Sequence, residues 1–408
     1  MLKYLILLAF PLLSAFSCEA QMTQSEEIDT LTIPQNQEKI DSNFQLKVGA
    51  ELAENYLSLL KGKRIAVVAN QTSTLGDVHL VDFLVSHNLK INKVFSPEHG
   101  FRGTADAGEK IDNGIDEKTG LPIISLYGNN KKPTHQQLEG VDVVVFDIQD
   151  VGARFYTYIS TLHYVMEACA ETKIKVLVLD RPNPNGHIVD GPVREKAFKS
   201  FVGMHPIPVL HGMTIGEYAK MINGEGWLSA EDTCLLTVVS CQNYQRNIPY
   251  SLPVWPSPNL RSDAAIALYP SLCLFEGTVI SIGRGTGTPF MVYGHPSFKE
   301  KSYFFTPKPS YGASDPKLNG KLCYGENLEN IGIERLDKLR IDWLITAYQE
   351  YDGKDFFITK NRWFDLLAGT SLLREQIINN ISEEKIRASW EPALNEFKKM
   401  RNKYLLYN

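Results

Sequence analysis

Four segments of the chain gather residues that can move protons, hold anions or bind sugars. In Phe95-Ser-Pro-Glu-His-Gly-Phe-Arg-Gly103, Pro97 stops a strand and two glycines tighten a loop, which leaves Glu98 and His99 at its crest. A carboxylate and an imidazole on such a turn suit general acid or base catalysis; the plainer reading is a Glu98–Arg102 pair. In Asp147-Ile-Gln-Asp-Val-Gly-Ala-Arg-Phe-Tyr-Thr-Tyr158 an apolar run ends in Asp147, Gln149, Asp150, Arg154, Tyr156 and Tyr158. Asp147 needs a cation such as Arg154 or Arg181 if it is buried ionised. In Asp180-Arg-Pro-Asn-Pro-Asn-Gly-His-Ile-Val-Asp-Gly-Pro192, Asn183 and Asn185 offer amides to hydroxyl or acetamido groups, unless they only form Asx turns. The fourth segment joins Trp255-Pro-Ser-Pro-Asn-Leu-Arg-Ser262, with Asn259 and Arg261, to Glu276 and the loop Gly283-Arg-Gly-Thr-Gly-Thr-Pro289. That loop can cradle an anion through amides and Arg284, but no helix follows it, so it lacks the setting of a nucleotide site.

The elements that must carry these segments alternate. Val143 to Ile148 is β-branched or aromatic except for Asp147, which predicts a central parallel strand buried on both faces. Asp150 stands where an N-cap belongs, and Gly152 lets the backbone turn. Phe155, Ile159, Leu162, Met166 and Cys169 then recur at helical spacing, with Arg154 and Tyr158 on one flank of the stripe. Further strands are expected at Arg64 to Asn70, Ile91 to Phe95, Leu121 to Leu126 and Lys175 to Asp180, with a helix over Val78 to Ser86. This rhythm predicts an α/β fold, a Rossmann-like doubly wound and mostly parallel sheet whose ligands bind at the carboxyl ends of the strands. Thr214 and Glu217 form a capping box for another helix. The Pro-rich stretch from Pro249 to Asn259 breaks regular structure, so a Rossmann-like domain is expected over residues 46–255 and a smaller α+β domain over 256–408. In the latter, Thr278 to Ile282 reads as a strand and Glu383 to Lys399 as a helix.

A chain of 408 residues favours two domains, and 43% hydrophobic with 22% charged residues describes an ordinary globular protein. A net charge of -5 argues against nucleic acid as the main partner. The first twenty residues have one lysine, a short apolar core and small residues before Cys18, the pattern of an export signal too short to span a membrane. Cleavage before Cys18 would give a lipid anchor, and cleavage after Ala20 a soluble protein; either places it outside the cytoplasm, periplasmic or membrane-anchored. Residues 21–45 read as a flexible tether. Cys169, Cys234, Cys241, Cys273 and Cys323 show no CxxC spacing, so neither a disulfide framework nor a zinc site is expected. Neither GxSxG nor HExxH occurs, which argues against a serine amidase or esterase and a zinc protease. No metal or cofactor is expected.

Taken together, these segments resemble the exo-β-N-acetylmuramidases, a bacterial peptidoglycan-salvage glycosidase family long known as a domain of unknown function. The resemblance rests on Ser96 to Gly103, Asp147 to Tyr158, Asp180 to Pro184 and Trp255 to Asn259, and it extends over the chain from about residue 50. It implies a Rossmann-like domain and a smaller C-terminal one with the active site between them, and release of terminal N-acetylmuramic acid from the non-reducing end of peptidoglycan fragments. It also points to Glu98 as the proton donor. For the second catalytic role Asp147, Asp150, Glu276 and the substrate's own 2-acetamido group compete. Muramic acid carries a lactyl carboxylate, which calls for a cation; Arg154, then Arg261 and Arg284, are the candidates. Tyr156, Tyr158 and Trp255 are candidates to stack on sugar, and His99, Asn183 and Asn259 complete the expected binding set. The competing class is a non-catalytic exported lipoprotein that binds muramyl glycans.

Overall fold

The computed structural model describes residues 45–98, 100–102 and 113–408, so the expected export signal, Cys18, nearly all of the expected tether and His99 lie outside the described residues. The strands are β1 (Arg64–Ala69), a hairpin of β2 (Thr74–Leu75) and β3 (Val78–His79), β4 (Lys90–Ser96), β5 (Gly114–Ile115), β6 (Pro122–Ser125), β7 (Val143–Asp147), β8 (Lys175–Leu179) and β9 (Leu236–Val239). The main sheet runs β5-β6-β4-β1-β7-β8-β9. All its neighbours are parallel except the edge pair β5 and β6. The order reverses at β1, which has β4 on one side and β7 on the other, so a crevice opens at their carboxyl ends.

The residue alternation of β7 explains its apolar run. Val144 and Phe146 join one buried cluster while Val143 and Val145 join the other, and Val176, Val178 and Leu177, Leu179 of β8 divide in the same way. The helix Leu80–Ser86 packs on one face of the sheet, and the helices Tyr158–Thr172 and Ile215–Gly224 on the other. Thr214 caps the last of these as expected: its hydroxyl accepts from Glu217 N (3.3 Å) and Glu217 Oε2 accepts from Thr214 N (3.0 Å).

Asp150 is not a helix N-cap, because the helix begins only at Tyr158. The Asp150 carboxylate instead accepts the Gly152 amide (2.7 Å), and Arg154 N bonds to Val209 O (2.8 Å), so this stretch pairs with residues 209–210 rather than coiling. Gly152 has φ of +78°, and a Cβ there would lie 2.3 Å from Asn183 Oδ1. Only glycine fits that contact.

The smaller C-terminal part holds an antiparallel sheet of β10 (Val292–His295), β11 (Tyr303–Phe305) and β12 (Cys323–Asn327) in the order β10-β12-β11, and ends in the helix Glu383–Asn402. The strand expected over residues 278–282 does not form. Thr278 bridges to Phe357 and Ser281 to Gly294, two different partners, so no ladder can propagate. One apolar cluster runs from Ala66 to Phe397, which means residues on both sides of the Pro-rich segment bury their surface together.

Several polar groups are sealed inside. His205 bridges Tyr218 Oη (2.8 Å) and His163 Nδ1 (3.0 Å), and His163 Nε2 lies 3.4 Å from Glu167. Burial pulls His163 down to about 4 and His205 well below its usual range. Asp180 accepts from Thr214, Tyr407 and Gly216, yet burial still pushes it up to about 6. The five described cysteines are all free and buried, as small apolar residues would be.

Candidate active site

Glu98 sits just beyond the carboxyl end of β4, where Pro97 prevents the strand from continuing. Two loops from the same sheet edge hold its side chain. Tyr127, beyond β6, donates its hydroxyl to Oε1 (3.0 Å), and Thr157, beyond β7, donates to Oε2 (3.3 Å). The Tyr158 hydroxyl reaches the Glu98 carbonyl oxygen (3.5 Å). Burial and the neighbouring Glu98 carboxylate push the Tyr127 phenol up, so it remains a donor. Arg102 does not pair with Glu98: it forms a forked bond to Asp116 (2.8 and 2.8 Å) and reaches Asp82 (3.3 Å).

Glu98 lines an open pocket together with Phe155, Tyr156, Thr157, Tyr158, Ser257, Leu260, Tyr269, Arg284 and Phe290. Its aromatic rings brace one another edge to face. Tyr156 lies 4.9 Å from Tyr158 and 5.7 Å from Tyr269 between ring centroids, and Tyr269 lies 5.0 Å from Phe290. Tyr156 also donates to Pro256 O (2.8 Å), which fixes this wall to the Pro-rich segment. Such a wall sets aromatic surface beside the Glu98 carboxylate.

A charged corner completes the pocket. Arg284 donates through Nε (2.8 Å) and Nη2 (2.6 Å) to Glu276 Oε1, which leaves Nη1 outside the pair, and its guanidinium lies 4.8 Å from the Phe290 ring centroid. Lys317 Nζ donates to the carbonyls of Phe275 (3.0 Å) and Thr278 beneath it, and burial pulls its ammonium down to about 8. Glu276 thus pairs with Arg284, while the Lys317 ammonium is held on backbone carbonyls of residues 275–278. The glycine-rich loop supplies its arginine to the pocket, while the amides of Gly283, Thr286 and Thr288 bond to Ser281 Oγ, Gly283 O and Thr286 Oγ1 in and beside the loop itself.

Comparison with known proteins gives the family. Residues 65–264 match the N-terminal family model of the exo-β-N-acetylmuramidase NamZ and residues 267–407 the C-terminal one. The peptidoglycan β-N-acetylmuramidase NamZ of Bacillus subtilis is 40% identical over 375 residues, covering 87% of this chain and 90% of the relative. The chain belongs to the exo-β-N-acetylmuramidase family. Two crystal structures of DUF1343 family proteins from Bacteroides fragilis share the fold. One superposes with a TM-score of 0.81 at 46% identity, covering 89% of this chain and 99% of that one; the other has a TM-score of 0.75 at 29% identity, covering 90% and 100%.

With the exo-β-N-acetylmuramidase family assigned, the remaining candidates divide clearly. Tyr156, Tyr158 and Arg284 join Glu98 in the pocket. Glu276 touches that pocket through Arg284. Arg154 is elsewhere: fully buried, it donates to Pro192 O (2.7 Å), Ile207 O (2.7 Å) and Leu367 O (2.8 Å), tying distant loops together. It cannot meet a lactyl carboxylate there, and burial beside Arg194 lowers it to about 9. Asp147 is closed off by Arg181 through two bonds (2.6 and 2.9 Å). Asp150 is buried on the Gly152 turn, 3.6 Å from His211 Nε2. Asn183 donates to Met213 O (2.9 Å) and accepts from Asn185 N (2.8 Å), which is the Asx-turn role. Asn259 and Arg261 line a neighbouring pocket, and Trp255 is exposed and lines neither of these two pockets. Tyr127 escaped the sequence reading. Its signal was Leu126-Tyr-Gly128, a strand end at the same sheet edge with Gly128 at φ of +65°.

Proposed function

We propose that this protein is an exo-acting glycoside hydrolase that releases terminal N-acetylmuramic acid from the non-reducing end of peptidoglycan fragments, with Glu98 as proton donor. The observation that carries this reading is Glu98 held by Tyr127 and Thr157 over an aromatic, one-sugar pocket that has Arg284 in its lining. The Bacillus relative, named as a peptidoglycan muramidase, supports the substrate class.

The chemistry follows from the pocket. Cleavage of the glycosidic bond needs a proton on the leaving oxygen and stabilisation of an oxocarbenium-like centre. Tyr127 and Thr157 fix the plane of the Glu98 carboxyl group for the first task. Among the described residues Glu98 is the one carboxylate lining the pocket. Asp147 is bonded to Arg181 and Glu276 to Arg284, and among the described residues no second carboxylate lines the pocket, so we assign the second task to the substrate's 2-acetamido group. Arg284, backed by Lys317, holds the lactyl carboxylate and separates muramic acid from glucosamine.

Glu98→Gln keeps the shape and removes the titratable proton, so turnover of a chromogenic N-acetylmuraminide should fall by about 10³-fold with the fold intact. Near-wild-type release by that variant would remove Glu98 from the mechanism. Binding without any release by the wild type would replace the enzyme with a glycan-binding lipoprotein. A muramyl thiazoline, the stable sulfur counterpart of the oxazoline that acetamido attack on the anomeric carbon would form, should inhibit tightly if the acetamido group participates, and weakly if it does not. The export signal and Ser17-Cys18 support a location outside the cytoplasm with a lipid on Cys18. Metabolic labelling with palmitate, lost in Cys18→Ser, checks the anchor.

A further inference from the structure

The segments 257–261 and 284–291 line two pockets at once. Ser257, Leu260, Arg284 and Phe290 face the Glu98 pocket, while Pro258, Asn259, Arg261, Thr286 and Pro289 face a second one of about 630 Å³. An exo-acting enzyme closes on one terminal sugar and must seat the rest of the glycan beside the acid.

We propose that this second pocket is the subsite for the sugar on the leaving side of the scissile bond, an N-acetylated pyranoside, with Tyr311 as its stacking platform and Arg261 as its hydrogen-bond donor; this rests on the glycosidase reading above. Tyr311 leaves 54% of its surface in the open, an unusual place for a large ring. It is nevertheless held on a rigid support. Ser310 and Ala313 pair across its turn, and Asn259 Nδ2 donates to Gly312 O (2.6 Å). Gly312 has φ of +88°, with room for no side chain: a Cβ would lie 2.7 Å from Pro258. The Arg261 guanidinium lies 5.4 Å from the Tyr311 ring centroid. The guanidinium stands over one face of a ring that stays half exposed, in a groove that also offers Ser310 and Thr286; this suits a pyranose, whose C–H face stacks on the ring's exposed part while its hydroxyl and acetamido groups accept hydrogen bonds. Asn259, expected to bind sugar, acts here by positioning that turn.

The test compares two substrates, the muramyl–glucosamine disaccharide and β-muramyl fluoride, whose leaving group fills no second subsite. Tyr311→Ala should lower kcat/KM for the disaccharide by about tenfold, carried by KM, and that loss should exceed the loss on the fluoride by most of this factor. Tyr311→Phe should restore the disaccharide, and Arg261→Met should repeat the selective loss. Equal losses on both substrates, or none on the disaccharide, would overturn the subsite. Should the wild type hydrolyse neither, the glycosidase reading falls instead. Calorimetric titration with the disaccharide then decides the subsite alone: weaker binding by Tyr311→Ala keeps it, and equal binding overturns it.

Discussion

Asp147–Arg181 and Glu276–Arg284 are the same chemical pair built for opposite ends. In the first, both side chains are buried, each carboxylate oxygen takes one nitrogen, and Arg181 Nη2 also donates to Thr74 O (2.9 Å). In the second, the side chains are 23% and 27% exposed, both nitrogens crowd one oxygen, and the guanidinium lines a pocket. A closed pair is shut away from any ligand, and breaking it strands a charge in the core. An open pair can exchange part of its bonding for a ligand's carboxylate. Arg154 extends the lesson, since three backbone carbonyls take both of its terminal nitrogens in the interior.

The comparison breaks if the closed pair proves functional. Asp147→Asn should cost about 3–5 kcal/mol in denaturant unfolding, because Arg181 is left buried and uncompensated. An active-site role would instead show as lost turnover in a protein of unchanged stability. Arg154→Met should cost about 3 kcal/mol by the same measurement, as buried carbonyls lose their donor. Any loss of binding should be equal for muramic and glucosamine substrates. Arg284→Met should do the reverse: KM for muramic substrates should rise about 10–100-fold, with glucosamine analogues nearly unaffected and stability within about 1 kcal/mol. The smallest effect sharpens the open pair. Lys317 gives up its proton near pH 8, so affinity for a muramic carboxylate should weaken by about two- to fivefold as pH rises through that value, and Lys317→Gln should flatten the limb.

Local patterns were legible in the sequence wherever a local rule decides the outcome. The apolar run of β7, the Thr214–Glu217 capping box and the helix at the C-terminal end all follow from spacing and capping. Glu98 was legible because a proline-stopped strand at a parallel sheet's carboxyl edge must present its next polar residue there. What failed was the fate of charges set by distant chain. Arg154 was expected in the cleft because it follows the same strand as Tyr156 and Tyr158, yet its partners lie 38, 53 and 213 residues further on. Only tertiary packing brings those carbonyls together. The strand expected over residues 278–282 failed similarly, since its two bridges go to separate partners further along the chain, Phe357 and Gly294. Tyr127 was passed over because a lone tyrosine after a short strand carries no pattern of its own.

The linked histidines His163 and His205 set a limit on what kinetics can say about the acid. Their folded-state values lie below the unfolded one, so the stability they confer is complete above about pH 6.5 and drains away as pH falls towards 4. Asp180, held at about 6, opposes this with a single group. Loss of rate on the acidic side of a pH profile will therefore mix protonation in the cleft with melting of a remote interior. Assays there should be read beside the folded fraction at each pH. A variant that neutralises the buried pair without touching Glu98 would separate the enzyme's chemical acid limit from its mechanical one.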